Sequence, residues 1–227
     1  MTLRTILPAV LALALSGCAS KAVVTGALTV PPNTTYAVDR MVTDAPIRVG
    51  DGAKVIGTLA ATNGSVDVGE GAATGDLRAV NGSVTVGQGA RTGAVHAING
   101  SLRIGRAAQT GSLSAINGSV ALLAGATARG RVEAVNGDVT VEEGARVEGD
   151  LDAVGDVTIS GGIVDGDIIL RRHEGSRPLH VTIGPGSLVR GRVIVDGSAQ
   201  VRIERTARVR RGIDGVVPSY FELQQDN

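Results

Sequence analysis

One five-residue phrase recurs along the chain at an almost constant interval, and that interval restricts the available folds more than any other feature. Ala61-Thr62-Asn63-Gly64-Ser65 opens the series. Ala79-Val80-Asn81-Gly82-Ser83, Ala97-Ile98-Asn99-Gly100-Ser101, Ala115-Ile116-Asn117-Gly118-Ser119 and Ala134-Val135-Asn136-Gly137-Asp138 follow. The asparagines at 63, 81, 99, 117 and 136 are 18, 18, 18 and 19 residues apart. A period of this size marks one small supersecondary unit, stacked so that neighbours bury the apolar face each leaves open.

Within each unit two short stretches alternate with period two. In one, Val66 and Val68 correspond to Val84 and Val86, Leu102 and Ile104, Val120 and Leu122, Val139 and Val141, and Val157 and Ile159, while the residue between them changes freely. In the other, Leu77, Val95, Leu113, Val132 and Leu151 are each followed two residues later by Ala, with Arg78, His96, Ser114, Glu133 and Asp152 between. Alternation of this kind puts the constant residues inside and the variable ones in water. Gly-rich corners separate the stretches, and Gly69, Gly71, Gly87, Gly89, Gly75, Gly93, Gly111, Gly130 and Gly149 are expected to bend the chain through positive φ.

A helical solenoid is excluded, because no segment shows a 3.6-residue stripe and each Gly would cost about 1 kcal/mol in a helix. The fold class is all-β, a single-stranded, three-sided parallel β-helix of about 18 residues per coil, since that many residues at about 3.3 Å make a perimeter near 60 Å. Right-handed crossovers are the expectation. About nine coils spaced roughly 4.8 Å apart would make a rod on the order of 40 Å long. With no Trp and only Tyr36, Tyr220 and Phe221 as aromatics, the core must be thin and aliphatic. Asn63, Asn81, Asn99, Asn117 and Asn136 are expected to form a structural ladder of stacked amides.

The ends read differently. Arg4 and the apolar run Ile6 to Leu15 precede Leu15-Ser16-Gly17-Cys18, which resembles the lipobox of bacterial lipoproteins and makes Cys18 the lipidation site. Residues 1–17 are then a signal peptide, 18–46 the lipidated Cys, tether and N-terminal cap strand, 47–212 the β-helix, and 213–227 a C-terminal cap. The sequence Arg171-Arg172-His173-Glu174-Gly175-Ser176-Arg177-Pro178 is too long for a corner and reads as an inserted loop near 171–178.

Ile183-Gly184-Pro185-Gly186-Ser187-Leu188-Val189-Arg190-Gly191, then Val193-Ile194-Val195-Asp196-Gly197 and Thr206-Ala207-Arg208-Val209, resemble the bactofilins, polymer-forming cytoskeletal β-helix proteins of bacteria. The resemblance implies a right-handed three-sided β-helix that assembles end to end.

Charge is balanced, with 22 basic and 22 acidic side chains, so no global field favours nucleic acid, and none is expected as a partner. One cysteine permits neither an internal disulfide nor a cysteine-based zinc site. No phosphate-binding Gly motif is followed by a helix, and no cofactor or metal is expected. Hexapeptide acyltransferases share a six-residue rhythm and use a surface histidine, for which His96 is the candidate. Its column varies as an unconstrained surface does. Glu133, Asp150 and Asp152 lie close in repeat register but lack the aromatic platform of a carbohydrate-active site. Arg171, Arg172, Arg177, Arg202, Arg208 and Arg210 are candidate contacts to an anionic ligand.

The leading expectation is therefore a non-catalytic envelope lipoprotein, lipid-anchored at the outer membrane through Cys18 and facing the periplasm or the surface. It would be a rigid scaffold or adhesin-like surface that self-associates end to end. A polysaccharide or lipopolysaccharide binder using the basic loop and arginine stripe is the first alternative. A hexapeptide-type acyltransferase or carbohydrate-active enzyme is the second.

Overall fold

In the computed structural model, which describes residues 22–37, 39–171 and 178–222, the alternating stretches become strands of three parallel sheets. The first sheet holds eleven strands, from Ala22–Thr25 to Ile213–Asp214, and the second eleven more, from Leu28–Val30 to Ser219–Phe221. The third is built of shorter pieces. Six strands run from Gln109–Thr110 to Arg208–Val209, and single bridges through Ala73 and Arg91 link them to the pair Thr35–Ala37 and Lys54–Ile56. Strands adjacent in a sheet come from successive coils, so the chain winds as a β-solenoid of about ten turns. No helix occurs among the described residues.

Register follows the repeat. Leu77, Val95, Leu113, Val132 and Leu151 pair in sequence on the first face, and Val66, Val84, Leu102, Val120, Val139 and Val157 pair on the second. Inward positions of both faces are fully buried as stacked columns of Val, Leu, Ile and Ala. A one-residue slip would turn a whole column into water, so each coil holds its neighbours in register.

The stack differs from expectation at its margins. Among the described residues pairing runs from Ala22–Thr25 through Arg40–Thr43, ahead of residue 47, because these segments complete strands despite lacking the Asn-Gly-Ser phrase. At the other end Ile213–Asp214 and Ser219–Phe221 still add rungs to the first and second sheets. Near the inserted segment the register step grows from Val139↔Val157 to Val157↔Val181. The extra residues fall between Leu170 and Leu179, and 172–177 lie outside the described residues.

Glycine plays two roles where one was expected. Gly71 and Gly89 take positive φ (62° and 65°) at a turn that recurs at Gly125 and Gly144 and is taken by Ala107 at 53°. Gly69, Gly75, Gly87, Gly93, Gly111, Gly130 and Gly149 have no positive φ. They are small because coils touch: a Cβ on Gly93 would stand 2.2 Å from an Asp76 carboxylate oxygen. The glycine of the repeated phrase belongs to this second kind and meets backbone instead of a side chain: on Gly100 a Cβ would stand 2.2 Å from the Gly82 carbonyl oxygen.

Candidate functional site

Within the repeat array the first face has five-residue strands, such as Leu77–Asn81 and Val95–Asn99. Leu77 and Ala79 point inward, so Arg78 and Val80 point out, and Asn81 stands at the corner beside them. Stacking repeats this on each coil. The outer surface therefore carries three parallel columns: a polar one through Arg78, His96, Ser114, Glu133 and Asp152, an aliphatic one, and the asparagines.

The asparagine ladder is continuous. Asn81 Nδ2 donates to Asn63 Oδ1 at 2.7 Å, Asn99 to Asn81 at 2.7 Å, Asn117 to Asn99 at 2.8 Å and Asn136 to Asn117 at 2.9 Å. Asn63 in turn donates to Asp44 Oδ1 at 2.5 Å. A carboxylate only accepts, so Asn63 must donate there, and each following amide is thereby oriented. The column stops at Ala153-Val154-Gly155-Asp156, where one residue, the Asn, is deleted from the phrase while Gly155 and Asp156 keep register with Gly137 and Asp138. Asn99→Ala removes two of these exposed bonds. It is expected to lower stability by about 1 kcal/mol in urea denaturation, because water can solvate the amides left behind.

A second ladder runs alongside. The backbone N–H of Ser101 donates to Ser83 Oγ, that of Ser119 to Ser101 Oγ and that of Asp138 to Ser119 Oγ, each at 3.2 Å. It continues through Asp156 N to Asp138 Oδ1 at 2.9 Å. The recurring Ser is the signal for it, since a hydroxyl at a fixed corner can serve the next coil's unpaired amide.

The aliphatic column is the feature that sequence reasoning missed. Val80, Ile98 and Ile116 are 37%, 41% and 39% exposed, and Val135 and Val154 extend the row half-buried. Two strand positions beyond the inward Leu or Val lies the inward Ala, so the residue after that Ala must face water.

The predicted arginines divide into engaged and open groups. Arg171 Nε and Nη2 bind the Asp152 carboxylate at 2.6–2.9 Å, and Arg131 binds it from the preceding coil. Expected to face solvent, Asp152 is only 2% exposed, because arginines from both neighbouring coils cover it. That carboxylate raises the Arg171 pKa above its ordinary value, chiefly through the hydrogen bond. Arg202 lies over the Phe221 ring, 5.0 Å from its centre. Arg208 and Arg210, with Arg211 beside them, are exposed on the last coils and form no ion pair with the described residues. Cys18, Arg172 and Arg177 lie outside the described residues.

No family model, curated protein or solved structure matches the chain.

His96 sits half-buried in the polar column between Arg78 and Ser114. Asp150 Oδ1 accepts the Asp167 backbone N–H at 2.9 Å, so this carboxylate is tied to the next coil. No cluster of metal-ligating side chains occurs among the described residues.

One titration is built into the last coil. The Thr206 hydroxyl and backbone N–H both donate to Glu204 Oε2, and they hold this carboxyl below the usual carboxylate range. Bonds to the charged form stabilise the fold fully above the unfolded-state pKa of about 4.3, and the gain is lost as pH falls through the lower folded value. Wild type should therefore lose thermal stability below that pH more steeply than Glu204→Gln, as differential scanning calorimetry across an acid series would show.

Proposed function

We propose that the chain is a rigid, non-catalytic scaffold of the bacterial envelope, anchored to the membrane by lipid on Cys18. One observation supports the reading above others: parallel sheets run the length of the described coils on inward columns that hold constant, while the polar outer column through Arg78, His96, Ser114, Glu133 and Asp152 changes from coil to coil. A surface serving chemistry would converge on a set of groups, whereas a spacer needs only its length and stiffness. The likeness to bactofilins belongs to the same reading, with coil ends as the points of end-to-end assembly. The lipobox-like Leu15-Ser16-Gly17-Cys18 supports the anchor and an outer-membrane location.

Two variants in a deletion strain separate scaffold from enzyme. Removing residues 77–112 deletes two periods and keeps the register, so the rod is shorter and still stacked; it should fail to complement. His96→Ala should complement fully. Full complementation by the short rod, or failure of His96→Ala, would overturn the scaffold. Cys18→Ser should move the chain out of the membrane fraction and end incorporation of labelled palmitate; a chain that stays membrane-bound and labelled overturns the anchor.

A second reading is favoured by the exposed, acid-free group Arg208, Arg210 and Arg211. These cations suit an anionic envelope polysaccharide or lipopolysaccharide. Arg208→Glu with Arg210→Glu should weaken retention on immobilised lipopolysaccharide at low salt, and unchanged retention dismisses this site.

A further inference from the structure

The first face bears a pattern that a spacer does not use. Single exposed aliphatic side chains are ordinary on protein surfaces, but Val80, Ile98, Ile116, Val135 and Val154 form one contiguous row along the rod. The polar column beside them changes sign along its length. Arg78 stands two coils before Ser114 and Glu133 one coil after it; neither makes an ion pair or side-chain hydrogen bond with the described residues, although Glu133 lies within the field of Arg171. Further out, the same column becomes apolar at both ends: Met41, 40% exposed, on one side and the half-buried Ile169 on the other.

We propose that this face is the interface of an antiparallel homodimer. A second copy turned end for end, about a twofold axis lying across the face between the levels of Ile98 and Ile116, meets the first with its columns superposed. Arg78 then faces the partner's Glu133, and Glu133 the partner's Arg78. Ile98 faces the partner's Ile116, Val80 the partner's Val135, and Met41 the partner's Ile169. The two charges are thus exchanged across the axis and aliphatic side chains meet at the Ile98, Val80 and Met41 levels, while at the remaining level Ala60 faces the partner's Asp152, whose charge Arg131 and Arg171 already neutralise. Two rods set side by side in the same direction lose this match, because a parallel twofold lays the polar column against the asparagine side of the partner.

The size of the face agrees with a dimer of modest affinity. From Met41 to Ile169 is seven coil steps of about 4.8 Å, and the strands are about 15 Å wide, so roughly 500 Å² is covered on each copy. The total, near 1,000 Å², is the lower bound of a specific interface and points to a Kd in the micromolar range. Aliphatic contacts at the centre with amide ladders at one margin reproduce the usual division into apolar core and polar rim. The inference does not rest on the scaffold reading, which would survive its failure.

Sedimentation velocity on the full chain carrying Cys18→Ser tests it, with circular dichroism confirming that every variant keeps its strands. The parent should dimerise between about 1 and 100 µM. Arg78→Glu or Glu133→Arg alone brings like charges together twice per dimer and should weaken association by about tenfold or more. The two together exchange the charges and should restore the parent value to within about threefold. Ile98→Lys should abolish the dimer. A parent that stays monomeric, single reversals that leave association unchanged, or a double reversal that fails to restore it would each overturn the proposal. The first of these results would assign the aliphatic row to a different partner.

Discussion

Gly100→Ala is expected to lower the unfolding free energy by about 3 kcal/mol, a large loss for a single methyl group on the outside of a protein. The added Cβ would stand 2.2 Å from the Gly82 carbonyl oxygen and 2.5 Å from its carbon. Both are backbone atoms of the neighbouring coil, so no side chain can swing aside. Relief requires the two coils to part, which stretches the sheet hydrogen bonds on either side of the corner, including Gly82 N–H to the Asn99 carbonyl at 3.1 Å. Gly89→Ala makes the comparison. Its φ is +65° but nothing lies within 4 Å of a Cβ, so only the left-handed backbone is penalised, by about 1 kcal/mol. Ala107 already occupies that turn one coil further on, at φ 53°. Urea midpoints that rank Gly89→Ala as the worse of the two would show that corner curvature, and not contact between coils, demands glycine in the phrase.

Leu113→Ala should cost a similar amount, about 3 kcal/mol, through a cavity instead of a clash. Leu113 is 1% exposed and lies between Val95 and Val132 in the inward column of the first face. In a solenoid each coil touches only its neighbours, so a hole at mid-rod weakens the coupling between the two halves. The thermal transition should broaden as it falls. Ile213→Ala, on the last rung and only half-buried, should cost well under 1 kcal/mol, because little apolar area there is hidden from water. Equal losses at the two positions would mean that the rod melts as one unit.

The inward columns were legible because period two and period eighteen are both visible in a single pass along the chain. Leu77, Val95 and Leu113 can be superposed without knowing any coordinate, and the same spacing aligns the asparagines. Four things were not legible, for different reasons. Whether a glycine is there for φ or for proximity depends on the neighbouring coil, and Gly89 and Gly93 look alike in sequence. The outward direction of Val80 and Ile98 was hidden by their apolar character, although the parity of the strand required it. Asp152 is covered by Arg131 and Arg171, and Arg171 belongs to a stretch that reads as loop. A cap strand was expected within 18–46, but its place in the first sheet was not visible, because Arg40–Thr43 pairs with Leu59–Asn63 without sharing its motif.

The asparagine ladder has a direction. Every side-chain amide donates toward the N-terminal end of the rod, and those of Asn63, Asn81, Asn99 and Asn117 accept from the C-terminal side. Five aligned amide dipoles in series behave like a helix laid on the surface of a sheet protein, with a positive pole at Asn63 and a negative pole at Asn136. Asp44 puts a carboxylate against the positive pole, as an acidic residue does at a helix N-terminus. The rungs consequently polarise one another, and the anion at one end strengthens bonds several coils away.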